Sequence, residues 1–298
     1  MQNDNLKSYL HLHLVVFIWG FTAILGALIS LEALDLVWFR MTFAVLFIVM
    51  YVWIKKIKLQ VSKKIFIKLM VLGLIIALHW LTFFKAIKVS NVSVTLACLS
   101  TGALFTSILE PFFYKKRVVL YEVFFGLLVV GGLYIIFQVE GNYLEGIVLA
   151  LTSAFLSALF SVMNGKLAQE FDSTLISFYE LLGGVFFLSI FLLFTGSFTG
   201  DFFNLSSSDL FYLLILSSIC TAYAFIASVK VMKHISPYTV MLTINLEPIY
   251  GIILAVFIFK EKEQMSPAFY FGALIILATV VANGIVQYYL KKKAIANV

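Results

Sequence analysis

The stretch YTVMLTINLEPIYGIILAVFIF, residues 238–259, carries a single charged side chain, Glu247, among residues that are mostly apolar. A helix of this length rises roughly 30 Å, which matches the thickness of the hydrocarbon core of a bilayer. The stretch therefore predicts a helix that crosses a membrane and holds a carboxyl group near its middle.

Nine further stretches of similar length and composition fill most of the remaining chain. Hydrophobic residues make up 62% of the 298 residues and charged residues only 12%, and the mean hydropathy is +1.06. A soluble domain of this size has no core that could absorb so many apolar side chains. We predict an all-α membrane protein with ten transmembrane helices, at residues 12–30, 34–54, 66–85, 91–110, 118–138, 144–163, 174–194, 209–229, 238–259 and 267–290.

The basic residues are distributed unevenly between the two sides of these spans. The net charge is +6, and most of the 21 basic residues fall on one side if the spans alternate in direction. The run from Lys55 to Lys68 is an example. The positive-inside rule then predicts an integral plasma (inner) membrane protein with both termini in the cytoplasm. The basic excess is a topology signal and does not indicate nucleic-acid binding.

An internal similarity links spans 4 and 5 to spans 9 and 10. Ser90 matches Ser236 and Gly126 matches Gly272 at the same offset of 146 residues. A unit of five crossings is odd in number, so a second copy enters the membrane from the opposite face. Inverted repeats of this kind are typical of secondary transporters, whose substrate site lies near the midplane where the halves meet. The predicted domains are two inverted five-helix repeats, at 1–138 and 139–298.

Several short motifs occur in order along the chain: Trp19-Gly20, Arg40, Asn245-Leu246-Glu247-Pro248, Phe259-Lys260-Glu261 and Gly272. In this order they resemble the EamA-like branch of the drug/metabolite transporter superfamily. The resemblance implies an exporter or exchanger of small molecules with a central cavity lined largely by spans 1, 3, 4, 6, 8 and 9. It leaves the substrate open. The first copy departs from the second, because Gly102 stands opposite Pro248 and Lys115 opposite Glu261.

Glu247 is the leading candidate for a binding residue. It lies about 14 Å into its span, near the midplane, where an ionisable side chain costs about 2.5 to 3.5 kcal/mol. Pro248 removes a backbone donor at the same depth, and Gly102 holds the matching position in span 4 beside Thr101. Two weakened helices with Asn245 close by predict a substrate site. Alternatively, Pro248 and Gly102 serve packing alone.

Arg40 and Glu180 each lie about six residues inside their spans but enter from opposite faces. They are therefore about 12 Å apart along the membrane normal, which argues against a direct salt bridge. Arg40 would bind helix-end carbonyls or a substrate carboxylate, and Glu180 a cation or a proton. Alternatively, each is satisfied within the protein or reaches toward the membrane surface.

Aromatic residues in spans 1, 3 and 8 predict an apolar wall for the same cavity. His79 and Trp80 lie deep in span 3, Trp19 in span 1 and Tyr223 in span 8. Such side chains form a cage over a ring or alkyl group, although packing and lipid contact explain most aromatic residues in so apolar a chain. The predicted substrate-binding residues are Trp19, Arg40, His79, Trp80, Thr101, Glu180, Tyr223, Asn245 and Glu247.

Motifs for nucleotide hydrolysis, acyl transfer or metal binding are absent from the sequence. We therefore expect no enzymatic activity and no cofactor, with a proton or substrate gradient as the energy source. The prediction is a secondary-active exporter of small metabolites, such as amino acids or amphipathic and cationic compounds, that works by alternating access. The alternatives are a membrane-embedded enzyme acting on lipid intermediates and a membrane scaffold that transports nothing. The oligomeric state stays open.

Overall fold

The computed structural model describes residues 2–115, 120–139, 141–260 and 265–296. Regular structure in these ranges is helical. Among the described residues, nine helical segments are long and apolar enough to cross a membrane. These segments are Leu6–Leu28, Ala33–Lys55, Lys63–Val89, Val92–Tyr114, Leu144–Glu170, Ser173–Phe194, Ser207–Val231, Pro237–Phe259 and Pro267–Val286.

Each of the nine segments coincides with one of the ten predicted spans. The span predicted at 118–138 falls on α6 (Leu120–Val139), in which the described apolar stretch is the shorter Phe124–Ile136. The tenth crossing therefore stays a prediction. The remaining helices are α1 (Gln2–Leu28), α2 (Ala33–Lys55), α3 (Lys63–Val89), α4 (Val92–Leu99), α5 (Gly102–Tyr114), α7 (Leu144–Glu170), α8 (Ser173–Phe194), α9 (Ser207–Ser217), α10 (Ala224–Val231), α11 (Pro237–Ile244), α12 (Glu247–Phe259) and α13 (Pro267–Ala296).

Polar side chains fix where several of these helices begin. The Asn91 side chain accepts the backbone N–H of Val94 at 2.8 Å at the start of α4. Asp172 accepts the N–H of Thr174 at 2.8 Å at the start of α8. These N–H groups have no partner within the helix, and lipid offers them none, so capping residues mark the helix starts.

Two crossings are interrupted at matching positions. Regular α-helical hydrogen bonding is interrupted by a tighter turn between α4 and α5 at Ser100 and Thr101, and between α11 and α12 at Asn245 and Leu246. The backbone angles of these four residues stay in the right-handed helical region. The two helices of each pair have the same lengths, 8 and 13 residues. Their boundaries lie 145 residues apart, one fewer than the offset of the sequence identities, and helix ends commonly differ by that much.

Helices α1–α6 pack against helices α7–α13 in a reciprocal pattern. α3 contacts α7 and α8, and in return the crossing formed by α9 and α10 contacts α1 and α2. The broken crossing of α4 and α5 contacts α7, while that of α11 and α12 contacts α1. α6 packs on α13. Corresponding helices of the two halves therefore make corresponding contacts with the opposite half.

One membrane face of the molecule is closed by polar and aromatic contacts. We call the face where α1 begins the N-terminal face and the face where α1 ends the distal face. On the distal face Asp209 accepts the backbone N–H of Ser30 at 2.7 Å and its hydroxyl at 2.6 Å. The ring of Trp38 lies 5.4 Å from that of Phe198 and 5.3 Å from that of Phe202. These contacts tie the loops before α2 and α9 together.

Candidate functional site

Side chains from both halves enclose a central cavity of about 60 Å³. It has room for a few water molecules and is much smaller than the roughly 300 Å³ or more of a pocket for a drug-sized ligand. Its lining comes from α1, α3, α4, α7, α10, α11 and α12, as the resemblance implied, and also from α2 through Arg40. Five predicted site residues line it, namely Trp19, Arg40, His79, Trp80 and Glu247.

Arg40 forms the distal end of the cavity. The side chain is fully buried, and its Nε donates to the hydroxyl of Thr221 at 2.7 Å. The guanidinium carbon lies 4.0 Å from the centroid of the Trp80 ring, a cation–π contact. Nη1 is buried and has no hydrogen-bond partner among the described residues. Arg40 therefore keeps a free donor for an anionic or carbonyl group.

Glu247 opens α12, directly after the interruption that ends α11. Its side chain is 6% exposed and lines the cavity. Arg40 lines the same space from α2. The cavity therefore combines one basic and one acidic group in a water-poor environment, where electrostatic interactions are stronger than in bulk water.

Aromatic rings form the remaining wall of the cavity. His79 is held by the backbone oxygen of Ser153, 2.9 Å from its Nδ1. Its ring packs against Phe160 with 5.4 Å between centroids, and Phe160 packs against Phe225 at 6.2 Å. Trp80 meets Phe225 from the other side at 6.1 Å. This wall suits an apolar or aromatic part of a ligand.

Trp19 connects the cavity to the opposite half of the protein. Its indole N–H donates to the backbone oxygen of Cys220 at 3.1 Å. The neighbouring Gly20 lets α1 approach α12, because a Cβ at this position would lie 2.8 Å from the Cβ of Tyr250. Trp19 therefore holds α1 against the crossing formed by α9 and α10, and Gly20 allows its close contact with α12.

Glu180 lies just outside the cavity lining. Its side chain is completely buried, and one carboxyl oxygen accepts the amide N–H of Asn164 at 3.1 Å. Asn164 itself lines the cavity. Arg40 and Glu180 thus have separate partners and form no direct salt bridge, as the depth argument predicts.

Besides Glu180, three more predicted site residues do not line the cavity. Thr101 is buried, and its hydroxyl donates to the backbone oxygen of Cys98 at 2.8 Å. Asn245 is buried at the interruption before α12, with a side-chain amide nitrogen that has no partner in the described structure. Both residues therefore lie at the two helix interruptions, beside the cavity.

Tyr223 is the third, and its expected place in the wall needs correction. The side chain is 44% exposed and its hydroxyl lies 2.9 Å from a ring nitrogen of His11. Tyr223 is the last residue of a π-helical segment, Ser218–Tyr223. The extra residue in the π turn changes the direction of the side chains that follow, so a regular α-helical projection misplaces Tyr223.

The sequence analysis missed Thr221, which lies in this π-helical segment. Its hydroxyl donates to the backbone oxygen of Leu216, five residues earlier, at 2.6 Å and accepts from Arg40. Single π turns occur often at functional sites. No proline or glycine within Ser218–Tyr223 announces this one.

A polar stripe along α7 was also missed, although its spacing is visible in the sequence. Ser153, Ser157, Ser161 and Asn164 recur every three or four residues, which places them on one helix face. All four are buried, and the last three line the cavity. Asn164, near the end of α7, is therefore part of the site.

Within the described residues, no group of three or more His, Cys, Asp or Glu side chains could hold a metal ion. A fixed cation, a carboxyl group, hydroxyls and aromatic rings surround a small space between two broken helices.

Three comparisons with known proteins agree with this description. The model of the EamA-like transporter family matches residues 6–138 and 144–284. A protein of Archaeoglobus fulgidus described as an uncharacterized transporter is 24% identical over 286 residues, which cover 93% of this chain and 96% of that protein. A crystal structure with 14% sequence identity superimposes with a TM-score of 0.69 over 94% of this chain and 98% of its own, and shows the likeness of the fold.

The two matches to the family model cover nearly the whole chain. The apolar helices described above supply the membrane-spanning structure that such a protein needs. The chain therefore belongs to the EamA-like transporter family and is an integral, multi-pass membrane transporter.

Proposed function

We propose that the protein is a secondary-active transporter that carries small metabolites across the membrane by alternating access. The observation that supports this most directly is the cavity between two crossings broken at corresponding positions, with Arg40 and Glu247 facing it. Broken helices near the midplane supply polar backbone groups where a substrate would bind, as in other transporters.

The proposed architecture is ten transmembrane helices in two inverted five-helix repeats, 1–138 and 139–298. The equal lengths of the helix pairs α4–α5 and α11–α12 support this correspondence. The reciprocal contacts of the halves support it as well. Two related units of opposite orientation can exchange conformations, which opens the shared site to one face and then to the other.

The chemistry of the cavity suggests the class of substrate. Arg40 would bind a carboxylate and Glu247 an ammonium group, while Trp19 and Trp80 would cover an apolar side chain. Asn245 has a free amide donor at the helix interruption and, with Thr101, would orient polar groups. Amino acids carry all these features, and amphipathic cations carry the second and third. The cavity of about 60 Å³ must expand to admit either.

The charge distribution and the lack of nucleotide motifs support a direction of transport and an energy source. The basic residues support a cytoplasmic location for the N-terminal face, in the plasma (inner) membrane. The cavity extends from Arg40 toward Asn164 and Met232, which lie in the half nearer the N-terminal face. We propose export of substrate taken up from that face, driven by a proton or substrate gradient.

Flux measurements in proteoliposomes test the proposal. The purified protein is reconstituted, and uptake and release of labelled amino acids and cationic compounds are followed with and without an imposed pH gradient. Replacing Glu247→Gln removes a charge while keeping the size of the side chain. Because charged groups in such sites contribute about 2 kcal/mol or more, flux of an ammonium-bearing substrate should fall about tenfold or more.

The control is Glu145→Gln, at an exposed position in the first turn of α7. Flux in this control should equal that of the unmodified protein. Normal transport by the Glu247→Gln variant at every pH would contradict the role of the carboxyl group. A complete absence of flux for all compounds would instead favour a scaffold.

A further inference from the structure

Glu180 and Arg40 occupy equivalent positions in the two halves. Each is the eighth residue of its helix, Arg40 in α2 and Glu180 in α8. Because these helices start from opposite faces, Arg40 lies toward the distal face and Glu180 toward the N-terminal face. The proposed function gives Arg40 a role in substrate binding but leaves Glu180 without one.

The hydrogen bonding of Glu180 is incomplete in a specific way. Asn164 Nδ2 donates to Glu180 Oε2 at 3.1 Å. The second carboxyl oxygen, Oε1, and the amide oxygen of Asn164, Oδ1, are both buried and have no partner in the described structure. Both of these atoms are acceptors when the carboxyl group is ionised, so neither can satisfy the other.

Within the part of the chain that the structure describes, no counter-ion compensates a charge on Glu180. Its side chain is 0% exposed, and among the described residues its only recorded side-chain interaction is with Asn164. The helices packed against α8 are α2, α3, α7 and α10. Four titratable side chains on these helices have other hydrogen-bond partners: Arg40, His79, Lys88 and Lys166. The others are exposed or partly exposed: Asp35, Tyr51, Lys55, Lys63, Lys64, Lys68, Lys85, Glu145, Glu170 and Lys230.

We propose that Glu180 and Asn164 form a proton-binding site that couples transport to a proton gradient. The proton forms an O–H bond at Glu180 Oε1, which then donates to Asn164 Oδ1. Together with the existing bond from Asn164 Nδ2, this closes a cyclic acid–amide pair. One proton thus satisfies both unpartnered oxygens and removes a buried charge, which is unfavourable away from water.

Asn164 connects this pair to the central cavity, because it lines the cavity on the side of the N-terminal face. When the cavity opens to that face, water reaches the pair and the proton can leave Oε1 for solvent. Ser177, one turn before Glu180 on α8, has a buried hydroxyl without a partner in the described structure and could then donate to the carboxylate. This inference rests on the proposed transport function, but its first test does not require a known substrate.

Infrared difference spectroscopy of the purified protein tests the protonation directly. A protonated carboxyl group gives a carbonyl band separate from the bands of a carboxylate. The spectrum of the unmodified protein minus that of Glu180→Gln should contain this acid band, and the corresponding difference for Glu145→Gln should contain only carboxylate bands. Loss of only carboxylate bands in Glu180→Gln would overturn the proposal.

A second variant tests the pairing with Asn164. Asn164→Ala removes the hydrogen bond to the Glu180 carbonyl, so the acid band should move to higher wavenumber. An acid band that is unmoved in this variant would show that Asn164 does not hold the proton site. Since the readout is a spectral position, a loss of stability alone does not imitate the result.

Coupling to protons is measured in proteoliposomes as the ratio of two transport rates, one with a pH difference across the membrane and one without it. In the Glu180→Gln variant the two rates should become equal, whereas Glu145→Gln should keep the ratio of the unmodified protein. An unchanged ratio in Glu180→Gln would contradict proton coupling at this site. Failure of the unmodified protein to exchange any substrate would contradict the proposed function, and the spectroscopic result would still stand on its own.

Discussion

Arg40 shows how a single ionisable side chain is accommodated within a membrane span. An arginine at this depth is costly, and such residues usually face the protein interior and bind other groups there. Here one nitrogen bonds Thr221 and the guanidinium plane covers Trp80, while Nη1 is left without a partner in the described structure. The side chain is therefore held in place with one donor to spare.

Replacing Arg40→Lys should impair substrate binding although the charge is kept. Lysine has no Nε donor for Thr221 and no planar group to stack on Trp80. A desolvated cation–π contact contributes about 2 kcal/mol, so the KM for a carboxylate substrate should rise about tenfold or more. The exposed Lys55→Arg change is the control and should leave KM unaltered. An unchanged KM in Arg40→Lys would show that the planar guanidinium group and its Nε donor are not needed for binding.

The sequence allows prediction of the depth of Arg40 but not of its partner. Thr221 is 181 residues away, on a crossing whose π turn has no sequence signal of its own. Glu180 is similar, since its depth follows from the span and its bond to Asn164 depends on how α7 packs against α8. Contacts of this kind depend on tertiary packing, which a single sequence does not specify.

At the scale of the helices, close approach of backbones shapes the region around Glu180. A Cβ at Gly73 of α3 would collide with the backbone oxygen of Glu180, and one at Gly183 of α8 would meet the backbone of Met70. Small residues at such crossings allow dense packing in membranes, where no hydrophobic effect drives helices together.

Gly73→Ala should therefore destabilise the protein by about 1 to 3 kcal/mol, because α3 and α8 must separate to accept the methyl group. The matched control is Gly131→Ala in α6, where an added Cβ meets nothing within 4 Å. That change should be neutral or slightly stabilising, since alanine favours helix. Thermal unfolding in detergent compares the two. Equal melting temperatures would contradict the close approach of α3 and α8.

The interruptions of the helices were predictable to different degrees. Gly102 and Pro248 mark the breaks near the midplane in spans 4 and 9, and the structure has both breaks within two residues of these positions. The π turn of Ser218–Tyr223 carries no such marker, so the sequence does not show that Tyr223 lies outside the cavity lining. Backbone-breaking residues can be read from sequence, whereas a π turn formed by otherwise ordinary helix residues cannot.

At the scale of the whole molecule, the two faces of the protein differ. The distal face is tied together by Asp209, which also accepts the hydroxyl of Ser206 at 2.7 Å in addition to both groups of Ser30. On that face Lys88 donates to the backbone oxygen of Ile29 at 2.9 Å. Alternating access requires these contacts to break whenever the cavity opens to the distal face.

Asp209→Asn should favour opening to the distal face. Hydrogen bonds to a charged group contribute about 1.5 to 3 kcal/mol, so weakening one should raise the population of the open state about tenfold. A Ser157→Cys reporter in the cavity, with Cys98→Ala and Cys220→Ala, should react faster with an impermeant maleimide applied to that face. The exposed Asp201→Asn change should have no effect. Equal rates in both variants would show that Asp209 does not restrain the distal face.

The same reporter provides the most direct test of alternating access. The cavity of about 60 Å³ is too small for a maleimide reagent, so labelling of Ser157→Cys requires the site to open. In right-side-out and in inverted membrane vesicles, the account predicts labelling from each face, slowed in both cases by a transported substrate. Labelling from one face only, or from neither, would contradict it, because the cavity would then be a closed or one-sided pocket and not a transport site.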